Sequence, residues 1–440
     1  MKHMTDTRLV VQSLRSRPLS TGITVAMVGI AVALLLTLYG MRQSAQTAFM
    51  RGSGNTHLLV SGDASPLAAV LNGIFYANPP QKALSWQTFQ SIKESFPWAW
   101  AIPTQQGDNF RGYPTLCTTQ DFFGKFDPTP GEPWEFAEGR AFNAPWEIVL
   151  GSATAKGTGL RLGQKVLLTH GSGGSREAGG DSGHVHDEFP FTVVGILAPT
   201  GSAHDHALFA DLESSWILHA FDRREREAVE SGAAHAHGPA AAKLAAADLQ
   251  EGDRLITGIL LRLPTRPGSD ASAATGQQYD ALRRQQGLVV AQPAQEIDRL
   301  FKIVARVDGL FITMAVVVLV SSAVSLLLAL YNSMNERRRQ IAVLRVLGAS
   351  QARVFGLMVT ESVAIGLMGG VAGVLLALVG GVLAAGYIKD KVGVVIDPSL
   401  DVRATVVVLG GTVVLSILAG VLPGWRAYRT PVAESLRPTA

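Results

Sequence analysis

Four stretches of this chain carry no charged residue: Pro18–Met41, Gly309–Asn335, Ser362–Ile388 and Ala404–Trp425. Each exceeds the roughly 20 apolar residues with which a helix crosses the hydrocarbon core of a bilayer. A lone backbone in lipid must satisfy its own N–H and C=O groups, so each run can cross only as a helix. The expected fold is an α-helical membrane protein with four transmembrane helices, both termini on one side, and a large external α+β domain between the first and second spans.

The segments follow in order: an N-terminal helix over 1–19, spans at 20–41, 307–333, 356–387 and 404–424, and an external domain with stalk helices over 42–306. A connection at 334–355, a short external loop at 388–403 and a tail at 425–440 complete the chain. Lys and Arg next to the spans set the orientation. Arg8, Arg15 and Arg17 precede the first span, Arg337, Arg338, Arg339, Arg345 and Arg353 join the second to the third, and Arg426, Arg429 and Arg437 follow the fourth. The third-to-fourth connection balances Lys389, Lys391 and Arg403 against Asp390, Asp397 and Asp401. The termini and the Arg-rich connection are therefore cytoplasmic. The first run is longer than a signal-peptide core, and Thr37–Ala45 lacks an A-x-A cleavage site, so it is read as a retained span. The formal net charge of +3 reflects this Arg bias and does not point to nucleic acid. With no charge inside the four runs, no span is expected to bury one, and neither an ion path nor a proton relay is expected.

Cys117 is the only cysteine, so the external domain has no intramolecular disulfide and relies on its own core. Arg42–Met50 is expected to prolong the first span outward until Gly52-Ser-Gly54 breaks the helix. Short strands are read at His57–Ser61 and Val149–Gly151, and two strands of one sheet at Val166–His170 and Phe191–Ala198, joined by the polar loop Gly171–Glu188. Ala220–Asp253 reads as a surface helix, linker and helix, and Thr257–Leu263 as a strand. Ile297, Leu300, Phe301 and Val304 recur at i, i+3, i+4 and i+7, one apolar helical stripe. This predicts a stalk that starts near Pro293, runs into the second span and packs on the helix leaving the first.

Between spans two and three stands NERRRQIAVLRVLGAS, Asn335–Ser350, basic and half apolar. Glu336-Arg337, Ile341, Leu344-Arg345, Leu347-Gly348-Ala349-Ser350 and the later Glu361-Ser362 resemble the corresponding segment of the MacB/FtsX-type permeases, ABC transporters of the mechanotransmission type. The resemblance extends to Leu14-Arg-Ser-Arg-Pro18, to Gly139–Phe142, Val149–Ser152, Leu162-Gly163 and Phe191–Leu197, and to Leu422–Arg429 with Pro431 and Glu434–Arg437. Gln340 departs from it, standing where the family usually has an acid; a rim contact of this kind is worth little.

The resemblance implies a homodimeric permease of the bacterial inner membrane, with a periplasmic domain and a separate cytoplasmic ABC ATPase that binds ATP and Mg. No G-x-x-x-x-G-K-[ST] occurs in these 440 residues, which fits a phosphate cradle on another chain. Glu336, Arg337, Arg338, Arg339, Gln340, Ile341, Leu344, Arg345 and Leu347 would form an ATPase-coupling helix, closed by Gly348 and Ala349, with Ser350 capping the next helix. The Arg residues alone would also suit anionic membrane lipid; the ordered Leu-Gly-Ala-Ser is what topology does not require. A periplasmic adaptor or binding protein is a further candidate partner.

Gly366, Gly369, Gly370 and Gly373 form two overlapping G-x-x-x-G pairs in span three, and Gly420 and Gly424 repeat the spacing in span four. Small residues let helices approach closely in lipid, here read as packing within one subunit ahead of a dimer contact. Eight of the ten His lie in His170–His237. The pairs His184/His186 and His204/His206 share a face if extended, which makes them candidate zinc ligands at separate, weak sites. Gly180-Asp-Ser-Gly183 matches a protease nucleophile segment only as a tetrapeptide, and there is no H-E-x-x-H, so no catalytic constellation is read. The expected function is a non-catalytic permease subunit that turns ATP hydrolysis on a partner into work on a periplasmic substrate. The alternatives are a scaffold that activates an envelope enzyme and a metal-linked export or relay protein.

Overall fold

The computed structural model describes residues 6–170, 189–230, 246–392 and 398–428, and divides into two compact units. One holds Gln46–Lys302 with Ile388–Ile396; the other holds Met1–Ala45, Ile303–Tyr387 and Asp397–Ala440.

Among the described residues, the external unit is built on an eleven-stranded mixed sheet. Its strands are β1 (Leu58–Ser61), β3 (Trp100–Phe110), β4 (Tyr113–Thr118), β5 (Phe136–Gly139), β6 (Glu147–Leu150), β7 (Lys165–Val166), β8 (Thr169–His170), β9 (Phe191–Leu197), β10 (Leu208–Asp211), β12 (Gly258–Arg262) and β13 (Val289–Ala291); β2 (Leu84–Ser85) and β11 (Leu255–Ile256) pair separately. The order is β13-β1-β12-β3-β4-β10-β6-β9-β5, with β7 on β9 and β8 on β3. Two contacts, β10–β4 and β6–β9, are parallel. The long β3–β4 hairpin turns at Arg111 (φ 50°) and Gly112 (φ 78°), both left-handed, as a tight hairpin turn requires.

Successive strand residues point to opposite faces, and both faces of this sheet are covered. Leu58, Val60, Ile148, Leu150, Leu208, Ile259 and Leu261 pack on one side with Phe89 and Ile92 of α4 (Trp86–Ser95) and Trp216 and Ile217 of α7 (Leu212–Glu230). Leu59, Val149, Phe209 and Leu260 pack on the other with Val70 of α3 (Pro66–Gly73) and Phe122 of α5 (Asp121–Lys125). Burial on both sides is why Leu58–Val60 and Ile148–Leu150 read as continuous apolar runs without alternation. Two short helices complete the unit, α6 (Ser152–Thr158) and α8 (Thr275–Arg283). The surface helix expected from Ala220 instead starts at Leu212, and its first half is core: Ile217, Leu218 and Ala220 are buried. The linker and most of the second expected helix fall on residues 231–245, outside the described residues; two 3-10 turns follow, Ala246–Asp248 and Glu251–Asp253.

The membrane unit holds α1 (Asp6–Arg15), most of α2 (Pro18–Gly52), of α9 (Pro293–Val346) and of α10 (Gln351–Val392), and α11 (Val402–Tyr428). Spans fall at Pro18–Gly52, Pro293–Ser333, Gln351–Tyr387 and Val402–Arg426. The protein is thus a four-span membrane protein with an α+β domain between spans one and two. The glycine seams join spans of one subunit. A Cβ on Gly369 or Gly373 would meet Val28 or Val32 of α2, both at 2.6 Å, and one on Gly370 would meet Leu409 of α11 at 2.7 Å. A Cβ on Gly366 would strike Ser416, one on Gly420 would strike Ser362, and one on Gly424 would lie 2.9 Å from Phe355.

The expectation that no span buries a charge is corrected. The charge-free run starts at Ser362, but α10 starts eleven residues earlier, and the helix carries Glu361 at 5% exposure. Reading a span from its charge-free part alone cuts off the turn in which the bundle encloses this carboxylate.

Candidate coupling site

The Arg-rich connection expected to serve as the ATPase-coupling helix is helical and forms the end of α9. α9 continues without a break from Pro293 to Val346, so the reversal of the chain is confined to Leu347–Ser350. Gly348 takes φ 99°, a conformation side chains avoid. Its N–H reaches the Arg345 carbonyl at 3.1 Å, and the Leu347 N–H reaches that of Val343 at 3.0 Å, which closes the helix end. Ser350 Oγ accepts from the Arg353 N–H at 3.2 Å and starts α10 as an N-cap. Arg337–Ile341 and Leu344 lie on helical backbone. Among the described side chains, Ala342 is buried while Val346 and Leu347 are 63% and 78% exposed. Two large apolar side chains thus crown the turn, next to a glycine that fixes its shape.

Within the external unit, the last turn of α2 and the first turns of α9 pack on one face of the sheet. Phe49 and Met50 of α2 and Ile297 and Phe301 of α9 join the core that contains Phe122, Trp134 and Phe209. Phe49 meets Phe301 edge-on at 5.6 Å and Phe75 at 4.9 Å. The Ile297-to-Phe301 stripe is therefore spent on contacts that include the helix leaving span one. At the last residue of α2, a Cβ on Gly52 would lie 3.0 Å from the Phe75 ring and 3.4 Å from Ser202, so the helix end abuts the loop that carries His204.

His204 and His206 do not form the extended pair expected from their spacing. They lie on the 3-10 turn Ala203–His206, capped by Ser202, and so do not share a face. His206 lies 6.0 Å from the Tyr113 ring. The His204 ring is buried at 5.4 Å from Trp134 and 5.6 Å from Phe126, with Tyr76 Oη 2.6 Å from its Nδ1. Burial pulls its pKa down to about 3, so the ring is neutral; the Gly52 carbonyl acts the other way without completing a hydrogen bond to Nε2. Asp205 holds the turn by accepting from the N–H groups of Thr200 and Gly201 at 2.8 and 2.9 Å. His184 and His186 lie outside the described residues. Among the described residues, no three His, Cys, Asp or Glu gather as a metal site. Nothing in the spacing of His204 announced a core residue; the aromatics that enclose it come from Tyr76, Phe126 and Trp134, far away in the chain.

Sequence profiles of two domain families match the chain: the MacB-like periplasmic core domain over residues 21–252 and the FtsX-like permease C-terminal region over residues 312–432. The macrolide export ATP-binding/permease protein MacB of Nitrobacter winogradskyi is 22% identical over 98% of this chain and 59% of its own length. The lipoprotein-releasing system transmembrane protein LolC of Haemophilus influenzae is 23% identical over 66% of this chain and 64% of its own length. The chain thus spans roughly six-tenths of each of these relatives. Among solved structures, the extracellular domain of the noncanonic ABC-type transporter YknZ from Gram-positive bacteria is matched over 53% of this chain and 98% of that domain, at 9% identity and a TM-score of 0.26.

Proposed function

The chain belongs to the MacB/FtsX-type ABC transporter permeases of the bacterial inner membrane, with a periplasmic core domain, and from that premise we propose that it couples a separate cytoplasmic ATPase to conformational work outside the membrane. The observation that carries this reading is the crowned turn. Val346 and Leu347 stand exposed where the Arg-rich flanks place the chain in the cytoplasm. Apolar side chains in water are stabilised by a partner that covers them, each fully buried one by about 1.5–3 kcal/mol. The turn is held on both sides, by the end of α9 and by the Ser350 cap, so a push on it acts on spans two and three. A helix is stiff and rises about 1.5 Å per residue, so α9 is suited to carry a displacement along its length.

In this mechanism ATP closes the ATPase dimer against two permease copies, the α9 and α2 stalks shift, and the periplasmic domains act on a substrate or adaptor. This chain supplies no catalytic group: the ATPase brings the nucleotide site, and the permease brings the lever and the docking turn. The test is co-purification of the full chain with a co-expressed cognate ABC ATPase. Leu347→Asp and Val346→Asp are expected to reduce the recovered ATPase at least tenfold, because a carboxylate would replace an apolar contact, while membrane insertion is unchanged. Undiminished recovery with both variants would refute the docking role of the turn.

A further inference from the structure

The first helix ends against an acid from the far part of the chain. Ser13 Oγ donates to Glu361 Oε1 at 2.6 Å, a contact between residues 348 apart in sequence. Glu361 is 5% exposed and Val10, one turn before Ser13, is 6% exposed. Leu14 packs against the cluster of Leu326 and Leu330 of α9, Ile365 of α10 and Ala419 of α11. Val10, Ser13 and Leu14 lie at i, i+3 and i+4 of α1, and Glu361 and Ile365 lie at i and i+4 of α10, so one face of each helix meets the other. The corner after α1 is set by Pro18, which has no N–H to continue the helix, while the Arg17 N–H reaches the Leu14 carbonyl at 3.4 Å.

We infer that Glu361 is a positioning residue, and that its carboxylate, by taking the Ser13 hydroxyl, clasps the N-terminal helix to span three. An amphipathic helix beside a first span would otherwise lie in the lipid interface, its apolar face in the acyl boundary and its Arg residues at the headgroups. Here the apolar face is occupied by protein, and a polar bond in a low-dielectric setting fixes its register. A buried carboxylate is costly unless hydrogen-bonded, so the bond holds both partners in place. α1 then moves with α10, whose capped start at Ser350 lies eleven residues, about 16 Å, from the clasp. The inference concerns the chain alone and does not depend on an ATPase.

The test uses the full chain in inside-out membrane vesicles with Val10→Cys and a membrane-impermeant maleimide. The native Cys117 is buried, which keeps the background low. Ser13→Ala and Glu361→Ala should each raise the labelling rate of Val10→Cys by roughly tenfold or more, the worth of a hydrogen bond to a charged group. Ser13→Thr, which keeps the hydroxyl, should leave the rate unchanged, and Ser13→Ala should add nothing once Glu361→Ala is present. Gln12→Cys, on the exposed side, should label equally fast in every background. A Ser13→Ala rate equal to the parent's would overturn the clasp, and so would equal acceleration at Gln12→Cys, which signals general loosening. Ser13→Ala removes a single hydroxyl, so the test stands even if Glu361→Ala fails to insert.

Discussion

The seam between spans one and three gives the sharpest quantitative test of the membrane unit. Gly373→Ala would set a methyl carbon 2.6 Å from Val32 Cβ and 2.7 Å from the Gly29 carbonyl oxygen. Carbon atoms pack at about 3.5–4.0 Å, so the two helices must part by about 1 Å. The obstacles are a branched Cβ and a backbone oxygen, neither of which can swing aside. Parting by that much forfeits a quarter to a half of each facing attraction, along a seam that buries Val28, Ala31, Val32 and Leu36. Overpacking of this kind costs about 1–3 kcal/mol. Gly380, on the same helix, has nothing within 4 Å of its would-be Cβ. Both substitutions gain the same helix propensity, up to about 1 kcal/mol, so these chemically identical changes should differ by the overpacking alone, about 1–3 kcal/mol. The assay is the unfolding of the full chain in mixed micelles with increasing SDS, followed by circular dichroism. Gly369→Ala with Gly373→Ala should cost less than the sum of the two singles, because one parting relieves both. If Gly373→Ala proved as stable as Gly380→Ala, the close approach of these spans would be wrong.

Two further outcomes are expected in the external unit. His204 has its folded-state pKa lowered to about 3 from 6.5, so the unfolded chain binds the proton first as pH falls. Its contribution is complete above pH 6.5 and is lost toward pH 3, at up to about 1.4 kcal/mol per pH unit; His204→Gln should flatten the pH dependence of chemical unfolding in that window, and an unchanged slope would count against the buried neutral ring. Phe49→Ala and Phe301→Ala should be coupled by about 0.5–1.5 kcal/mol in a double-mutant cycle on thermal unfolding, the worth of an edge-on ring pair; strict additivity would show that the two stalk ends do not bear on each other.

Much of the membrane architecture was legible because bilayer physics works on composition alone. A run such as Ala404–Trp425 can be satisfied only as a spanning helix, and the Arg flanks then orient the set. The break at Gly52-Ser-Gly54, the Ser350 cap and the stalk stripe from Ile297 were also legible, since each depends on neighbours within a turn or two. The hairpin of β3 and β4 was not: Gln105, Gln106, Asp108 and Asn109 put polar residues on both faces of β3 and hide its strand character, and its other partners, β8 and β12, come from elsewhere in the chain.

The number of spans, their sidedness and the family could be read from the residues in order, because these rest on local apolarity, flanking charge and an ordered motif. The places of Glu361, Ser13 and His204 came from packing between distant parts of the chain. Burial is not a property of a residue but of what folds over it: Glu361 borders an apolar run and looks exposed until α1 covers it, and His204 looks like one of a chelating pair until residues more than sixty positions away close round its ring.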